Sequence, residues 1–349
     1  MTFNNQTNSS TEVSHTRSCI LSSTIIVHLR VAFYISTFVA AVIVNSLVIL
    51  IVCKFCRIRG TINYLIINMA LSDMFAPSFA IPRIVADIYH PDWMVKGPFG
   101  EFLCKLSSFA MDMPAAVSIQ TLVLMTVDRF HAIVFPLKHK LLTKRKCIIA
   151  IASTWIVACF LYSPYFYTWH LKKWSDRIEF CGSRVDPGYN KEAYFWVLLS
   201  LHTVIPLFVL AVLHSLIIVS LKRQEIVNTG TKDQMRRRKE NRQIWKMLTS
   251  IFLSCLISFV PYHTQMLIKR FNKDRSITSS CSFKIFRIIA YILLYSYSAA
   301  NPCIYFTFIA KYRQALKRLV SRLLQKEIVS DNESAFSMGL YSHSRNQDF

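Results

Sequence analysis

Seven runs of about twenty apolar residues, the length that crosses a bilayer core, recur at residues 31–53, 62–86, 104–128, 147–167, 194–220, 244–268 and 285–308. Short polar or basic connectors separate them. In hydrocarbon every backbone amide and carbonyl must pair within its own segment, so each run predicts a helix. A closed barrel would instead show alternating segments of about ten residues, and the sequence has none. The pattern predicts an all-α membrane protein, a bundle of seven transmembrane helices.

Composition agrees. Hydrophobic residues make up 53% and charged residues 17% of 349 positions, with a mean hydropathy of +0.35. That content excludes a disordered chain, and 10 cysteines over this length exclude a disulfide-stapled mini-domain. In a soluble protein the net charge of +22 would point to nucleic acid. Here its sidedness matters more. With the N-terminus outside, twenty-four Lys and Arg fall on the cytoplasmic side and sixteen on the other, Arg129 standing at the boundary. The positive-inside rule favours that orientation. Anionic lipid and acidic partners account for the basic inner face, so no nucleic-acid partner is expected.

Residues 1–30 lack a basic start followed by an apolar stretch and cleavage site, so the first span is expected to act as its own insertion signal. The chain then divides into an extracellular tail (1–30), a seven-helix domain (31–308), an amphipathic helix on the inner membrane surface (309–325) and a disordered cytoplasmic tail (326–349). Asn5 and Asn8 head glycosylation sequons in the outer tail. In the surface helix Leu316, Leu319, Val320, Leu323 and Leu324 recur at helical spacing opposite basic residues.

Polar groups inside the spans need reasons. Asp73 lies twelve residues after Thr61, about 18 Å along a helix and near the bilayer middle, where a carboxylate costs several kcal/mol. Asn45, Ser118 and Asn301 reach comparable depth, and with Asp73 they could hold a small cation or ordered water. Asp128-Arg129 and Cys104 sit at opposite ends of the third span. Pro164, Pro206, Pro261 and Pro302 each remove a backbone hydrogen bond within a span and predict kinks. Asn301 can offer its amide to the carbonyl that Pro302 frees. Cys19, Cys104, Cys181 and Cys281 are the external cysteines, and four cysteines allow three connectivities.

Asn45, Leu71-Ser72-Asp73, Asp128-Arg129-Phe130, Trp155, Pro206 and Asn301-Pro302-x-x-Tyr305, in this order across seven spans, resemble the rhodopsin-like (class A) G-protein-coupled receptors. Trp93 with Phe99-Gly100 ahead of Cys104 is similar to that family's first external loop. The resemblance covers about residues 31–325. It implies a multi-pass plasma-membrane receptor, not an enzyme, with a heterotrimeric G protein and arrestin as cytoplasmic partners. Asp128 would hold Arg129 at rest, Arg129 would engage the G protein when the sixth helix swings outward, and Tyr305 would move inward. Cys104 would pair with Cys181. Asp73, Ser118 and Asn301 would form an allosteric sodium site, with no resident cofactor besides. Departures from the family pattern are His214 for a tyrosine, Cys255 for a phenylalanine, Phe259 for a tryptophan, and Asn241 where some members have an acid, with Glu240 beside it.

Amine receptors of that family carry an acid at the position of Met111, whereas Asp112 is one residue off, about 100° around the helix. The segment from Thr126 to Pro136 and the long second external loop, residues 168–193, are more similar to peptide receptors, so an extracellular peptide is the expected ligand. The pocket residues are expected to be Arg83, Met111, Asp112, Phe259, His263, Arg287 and Tyr291, with the arginines reading an acceptor on the ligand and Asp112 a basic group. Ser258 to His263, and a Cys19 to Cys281 link, are similar to the nucleotide and lipid-mediator branch, which is the second reading. A transporter would show paired halves of related sequence, and an enzyme would show catalytic groups clustered at one depth. The sequence shows neither.

Overall fold

A computed structural model describes residues 24–54, 60–90, 92–135, 141–173, 178–183, 190–226, 231–272, 275–322 and 325. Helices α1 (Thr24–Lys54), α2 (Thr61–Tyr89), α3 (Gly97–Val134) and α4 (Lys144–Tyr162) come first. A single turn, α5 (Tyr165–Thr168), leads into an antiparallel hairpin of β1 (Trp169–Lys173) and β2 (Glu179–Ser183), in which Leu171 pairs with Cys181. Then follow α6 (Lys191–Leu198), a π-helical stretch (Leu199–Val204), α7 (Ile205–Ile226), α8 (Lys232–Phe271), a turn α9 (Arg275–Ser279) and α10 (Cys281–Phe308). A last helix, α11, covers 310–322. Seven segments are long and apolar enough to cross a membrane, α6 through α7 forming the fifth.

Several helices outrun the apolar runs that predict them, and polar caps set some of their starts. Asn190 accepts the Ala193 amide at 3.0 Å, and Ser280 accepts that of Phe283 at 3.2 Å. Thr231 and Gln234 cap each other's amides reciprocally, so the basic run from Arg236 to Lys239 continues the sixth span as helix. The far end of α4 departs from expectation. Pro164 does not kink the span from within; it closes α4 at Tyr162. With no N–H on Pro164, the Phe160 carbonyl is met by the amide of Ser163 at 3.4 Å and by its hydroxyl at 2.8 Å.

Helix α3 is the hub, packing on α2, α4, α7, α8 and the hairpin. Its core neighbours include Leu65, Met69, Leu210, Ile251 and Tyr305, all fully buried. Phe160 and Phe208, 79% and 68% exposed, face outward, as suits helices whose outer surface meets lipid. Asn68 ties three helices together, donating to Thr121 Oγ1 and accepting from Trp155 Nε1, each at 2.8 Å. On the cytoplasmic side, Tyr312 of α11 donates to Asn63 Oδ1 at 3.0 Å, and Arg313 donates to the Phe306 and Thr307 carbonyls at the end of α10. Tyr312 and Ala315 are buried, Leu316 and Leu319 partly so, and Val320 is exposed. Leu323 and Leu324 lie outside the described residues.

Pro302 leaves the carbonyl of Ser298 without its helical donor. Asn45, on the neighbouring first span, donates to that carbonyl at 2.9 Å and to Ala41 at 2.8 Å. The expected donor, Asn301, turns its amide to Asp73 instead, because a carboxylate is the stronger acceptor. Asn45→Leu is therefore expected to lower stability by about 1–3 kcal/mol, the cost of an unmet buried polar group. Ser36→Ala on the outward face of the same helix should cost nothing. Thermal unfolding in detergent measures both, and equal midpoints would show that the Ser298 carbonyl has another donor.

Candidate functional site

At mid-bundle, Asp73 is 2% exposed and accepts from Ser118 at 2.9 Å on one oxygen and from Asn301 at 2.7 Å on the other. Three spans thus meet on one carboxylate. The Oδ1 atoms of Asn45 and Asn301 and the hydroxyls of Tyr297 and Tyr305 are buried without a hydrogen-bond partner. The surroundings therefore supply several hard oxygen atoms, the donor type that suits a small hard cation.

Above this cluster lies a cavity of about 280 Å³, near the low end of ligand-sized pockets. Asp73, Ser118, Phe259 and Tyr297 line it, as do Met111, Asp112, His202, His263, Tyr262 and Tyr295. Trp169 and Ser183 of the hairpin also contribute. Asp112 accepts the Tyr165 hydroxyl at 2.8 Å. Phe259 packs edge-on against Tyr297, centroids 5.5 Å apart, and stacks on His263 at 6.2 Å. Asp73 and Asp112 are the charged side chains among the described lining residues.

The hairpin covers the cavity because several ties hold it down. Cys104 and Cys181 form a disulfide, Cα atoms 5.5 Å apart. Glu101 accepts the Leu171 amide at 2.9 Å and pairs with His170 at 2.6 Å. The first external loop reaches the other strand, with Trp93 N–H on the Glu179 carbonyl at 2.6 Å and Asp92 accepting the Glu179 amide at 2.8 Å. Lys96, and then the Glu179 amide, hold the Asp92 carboxyl below the usual carboxylate range, so it stays ionised at neutral pH. Gly100 is needed here, since a Cβ would lie 1.8 Å from the Val95 carbonyl oxygen.

Of the expected pocket residues, Met111, Asp112, Phe259 and His263 line the cavity; Arg83, Arg287 and Tyr291 do not. Arg83 turns inward but is fully engaged. It donates to Ser108 at 2.5 Å, Ser107 at 3.3 Å and the Cys181 carbonyl at 3.4 Å. Its guanidinium also lies 5.0 Å from the centre of Trp169 and 5.5 Å from that of Trp93. It is a latch between α2, α3 and the hairpin. Tyr291 stands one layer out, packed on Tyr262 and Tyr295, and Arg287 lies beyond it towards the rim.

His202 was not among the expected pocket residues, yet it lines the cavity. It sits in the π-helical stretch, bonds the Tyr162 hydroxyl through Nδ1, and leaves Nε2 buried without a partner. An irregular turn just before Pro206 turns this side chain into the bundle, and helical periodicity alone does not signal that. At the cytoplasmic end Arg129 pairs with Asp128. Glu240 pairs with Arg236 at 3.6 Å on the exposed side of α8, so it does not stand in for the acid absent at Asn241. His214 donates through Nδ1 to the Leu210 carbonyl at 2.8 Å and stacks on Phe252. Cys281 is disulfide-bonded, while Cys19, Asn5 and Asn8 lie outside the described residues.

The family profile described as 7 transmembrane receptor (rhodopsin family) matches residues 44–305, well over half of the chain. The chain is similar to the allatostatin-A receptor of Bombyx mori, 26% identical over 280 residues that cover 79% of this chain and 75% of that protein. It is also similar to the QRFP-like peptide receptor of Branchiostoma floridae, 29% identical over 280 residues, 78% and 72% of the two chains. Neuropeptide receptor 22 of Caenorhabditis elegans is 28% identical over 326 residues, 88% and 74% of the two chains.

Because Arg83 is held by two aromatic faces and three hydrogen-bond acceptors, Arg83→Ala is expected to lower the stability of the ligand-free protein by about 2 kcal/mol or more. Arg83→Lys keeps the charge but loses the fork, and should restore only part. An unchanged thermal midpoint in both variants, with agonist potency alone reduced, would make Arg83 a ligand contact and not a latch.

Proposed function

This chain belongs to the rhodopsin family of seven-transmembrane receptors, and from that premise we propose that it is a cell-surface receptor for an extracellular peptide. Its N-terminus would lie outside the plasma membrane, and it would signal to a heterotrimeric G protein, with arrestin as a second cytoplasmic partner. The family is one of receptors, not of enzymes. The similar proteins named above are receptors for allatostatin-A, a QRFP-like peptide and neuropeptides by their own titles.

The observation that carries the ligand class is the acidic, aromatic cavity under a tethered hairpin. A phosphate-bearing nucleotide or lipid would need cations in the lining, whereas Asp112 and Asp73 are both acids. A cavity of about 280 Å³ takes one or two side chains of a peptide, leaving the remainder to the hairpin and the rim. In this reading Asp112, with Met111, Phe259 and His263 around it, takes a basic group of the ligand, and Arg287 and Tyr291 meet the ligand nearer the mouth.

Transmission would run through α8. Pro261 frees the Ile257 carbonyl two residues from Phe259, making a hinge just below the ligand floor. Outward movement of α8 would release Arg129 from Asp128 to the G protein, with Asn301, Pro302 and Tyr305 rearranging beside it. Sodium fits the oxygen set of Asp73, Ser118 and Asn301. When bound there it would supply the counter-charge that a buried carboxylate otherwise lacks.

Three outcomes test this. Membranes carrying the chain should accelerate nucleotide exchange on added G proteins when a peptide library is applied, and Arg129→Ala should abolish that. Against an active peptide bearing Lys or Arg, Asp112→Asn should lower potency roughly tenfold or more at normal surface expression, since charge-assisted contacts are worth about 1.5–3 kcal/mol. Agonist affinity should fall as sodium rises, by linkage, and Asp73→Asn should remove that dependence. Affinity indifferent to sodium in the unmutated protein would leave the Asp73 cluster a structural one.

A further inference from the structure

Resting on the reading of Asp112 as the ligand's counter-charge, we propose that Tyr162, Tyr165 and Tyr194 wall the cavity beside it as an aromatic cage, and that the cage takes an N-alkylated ammonium of the ligand, quaternary at best, in preference to the bare ammonium of lysine. All four side chains line the same cavity. Pro164 closes α4 at Tyr162 and the α5 turn begins at Tyr165, so neighbouring tyrosines come from two elements set at an angle. The Tyr162 ring stands nearly upright to that of Tyr165, centroids 5.3 Å apart at an interplanar angle of 81°. Tyr194 of α6 does the same at 6.4 Å and 73°. Tyr165 is thus the middle ring of three, and its hydroxyl reaches Asp112.

Where the hydroxyls go decides what the rings offer. Tyr165 donates to Asp112 at 2.8 Å, Tyr194 donates to the Leu161 carbonyl at 2.9 Å, and the Tyr162 hydroxyl is bonded to Nδ1 of His202. Each hydroxyl is turned to a protein partner, so what the three tyrosines give the cavity is ring surface. His263 is committed in the same way. Its Nδ1 donates to the Phe259 carbonyl at 2.9 Å, which leaves Nε2 of the neutral ring to accept from Thr203 at 3.1 Å. Asp112 forms no ion pair among the described residues. The resident cation nearby, Arg83, is paired with Asp87 at 3.9 Å and lies on the Trp169 ring, itself 5.8 Å from Tyr165. An aromatic face holding a cation is therefore already present in the adjoining layer.

A carboxylate set among ring surfaces selects cations by how they are hydrated. A primary ammonium is a compact, strongly hydrated charge with three N–H donors. Beside these rings it finds one strong acceptor, Asp112, and gives up most of its water. A trimethylammonium has no N–H to leave unmet and presents methyl groups that pack on ring faces, which attract a cation through their quadrupole. Asp112 then balances the charge across a cavity of low polarity. A plain apolar wall would not favour the charge, and a plain salt bridge would not favour the methyl groups. The two together mark the cage.

The direct test uses the purified full chain in maltoside detergent at constant sodium. The probes are Nα-acetyl-trimethyl-lysine amide, the matching lysine amide, and an uncharged isostere ending in a tert-butyl group. The trimethyl probe should raise the thermal midpoint saturably, at a concentration about fivefold or more below that needed by the lysine probe, and the isostere should do nothing. Asp112→Asn should remove the response to both cations. Tyr162→Leu and Tyr194→Leu should each remove the advantage of the trimethyl group, whereas Tyr194→Phe, which keeps the ring, should retain it. On cells, replacing the lysine of an active peptide by trimethyl-lysine should raise potency about fivefold or more in the unmutated chain and not in Tyr194→Leu. The cage is overturned by a lysine probe as good as the trimethyl one, by equal stabilisation from the tert-butyl isostere, by an advantage that survives both Leu variants, or by no saturable shift with the trimethyl probe. If that probe binds as described but no library peptide activates the unmutated chain, the peptide-agonist reading fails and the cage stands. If a lysine peptide activates and loses potency on trimethylation, the cage fails and the peptide reading stands.

Discussion

A backbone carbonyl or amide facing hydrocarbon has no water to turn to, and the way that demand is met at Pro302 sets how four of the spans sit together. Pro77, Pro82, Pro114, Pro261 and Pro302 lie inside helices, each removing one donor. At Pro302 the remedy is a side chain from another span, Asn45, which fixes how α1 sits on α10. Its use there leaves the Asn301 amide for Asp73, and Asp73 then draws in Ser118 of α3. One missing N–H in α10 is thus answered by polar contacts that register four spans against each other.

The outer half is organised by a different economy of contacts. There α2, α3 and the hairpin meet on the Arg83 guanidinium, while the disulfide from Cys104 fixes the same strand covalently. Glu101 and Asp92 add amide contacts to β1 and β2 respectively. The roof of the cavity is therefore held from below by α3 and from the side by the first external loop. A ligand would meet a preformed opening, which lowers the ordering cost of binding.

How legible this was in the sequence depends on whether the relevant spacing is local. Apolar length alone located seven spans, and capping residues such as Thr231 and Ser280 account for where they end. Pairs within one helix, such as Asp128 with Arg129, could be read directly. The partners of Arg83 could not, since a guanidinium ten residues outward of Asp73 has the same local sequence whether it meets ligand, lipid or Trp169. His202 was not placed in the pocket for a related reason: it sits in a π-helical turn, and regular helical periodicity does not signal which way such a turn directs a side chain. Asn45 and Asn301 were recognisable as buried amides, yet which of them serves the Ser298 carbonyl depends on how two spans lean together.

The cavity floor and the central polar cluster share walls, and this bears on how a ligand could be felt far from its seat. Phe259 lines the cavity, belongs to α8, and lies against Tyr297 of α10. Tyr297 stands one turn from Asn301, whose amide holds Asp73. A group pressing on Phe259 therefore acts on the helix that Pro261 weakens and on the ring that abuts the Asp73 network, with one aromatic layer between. Such contiguity becomes coupling only if an element in it has two arrangements. The proline-weakened segment of α8 is the element best placed to have them, because its Ile257 carbonyl has lost the donor that would otherwise stiffen the turn.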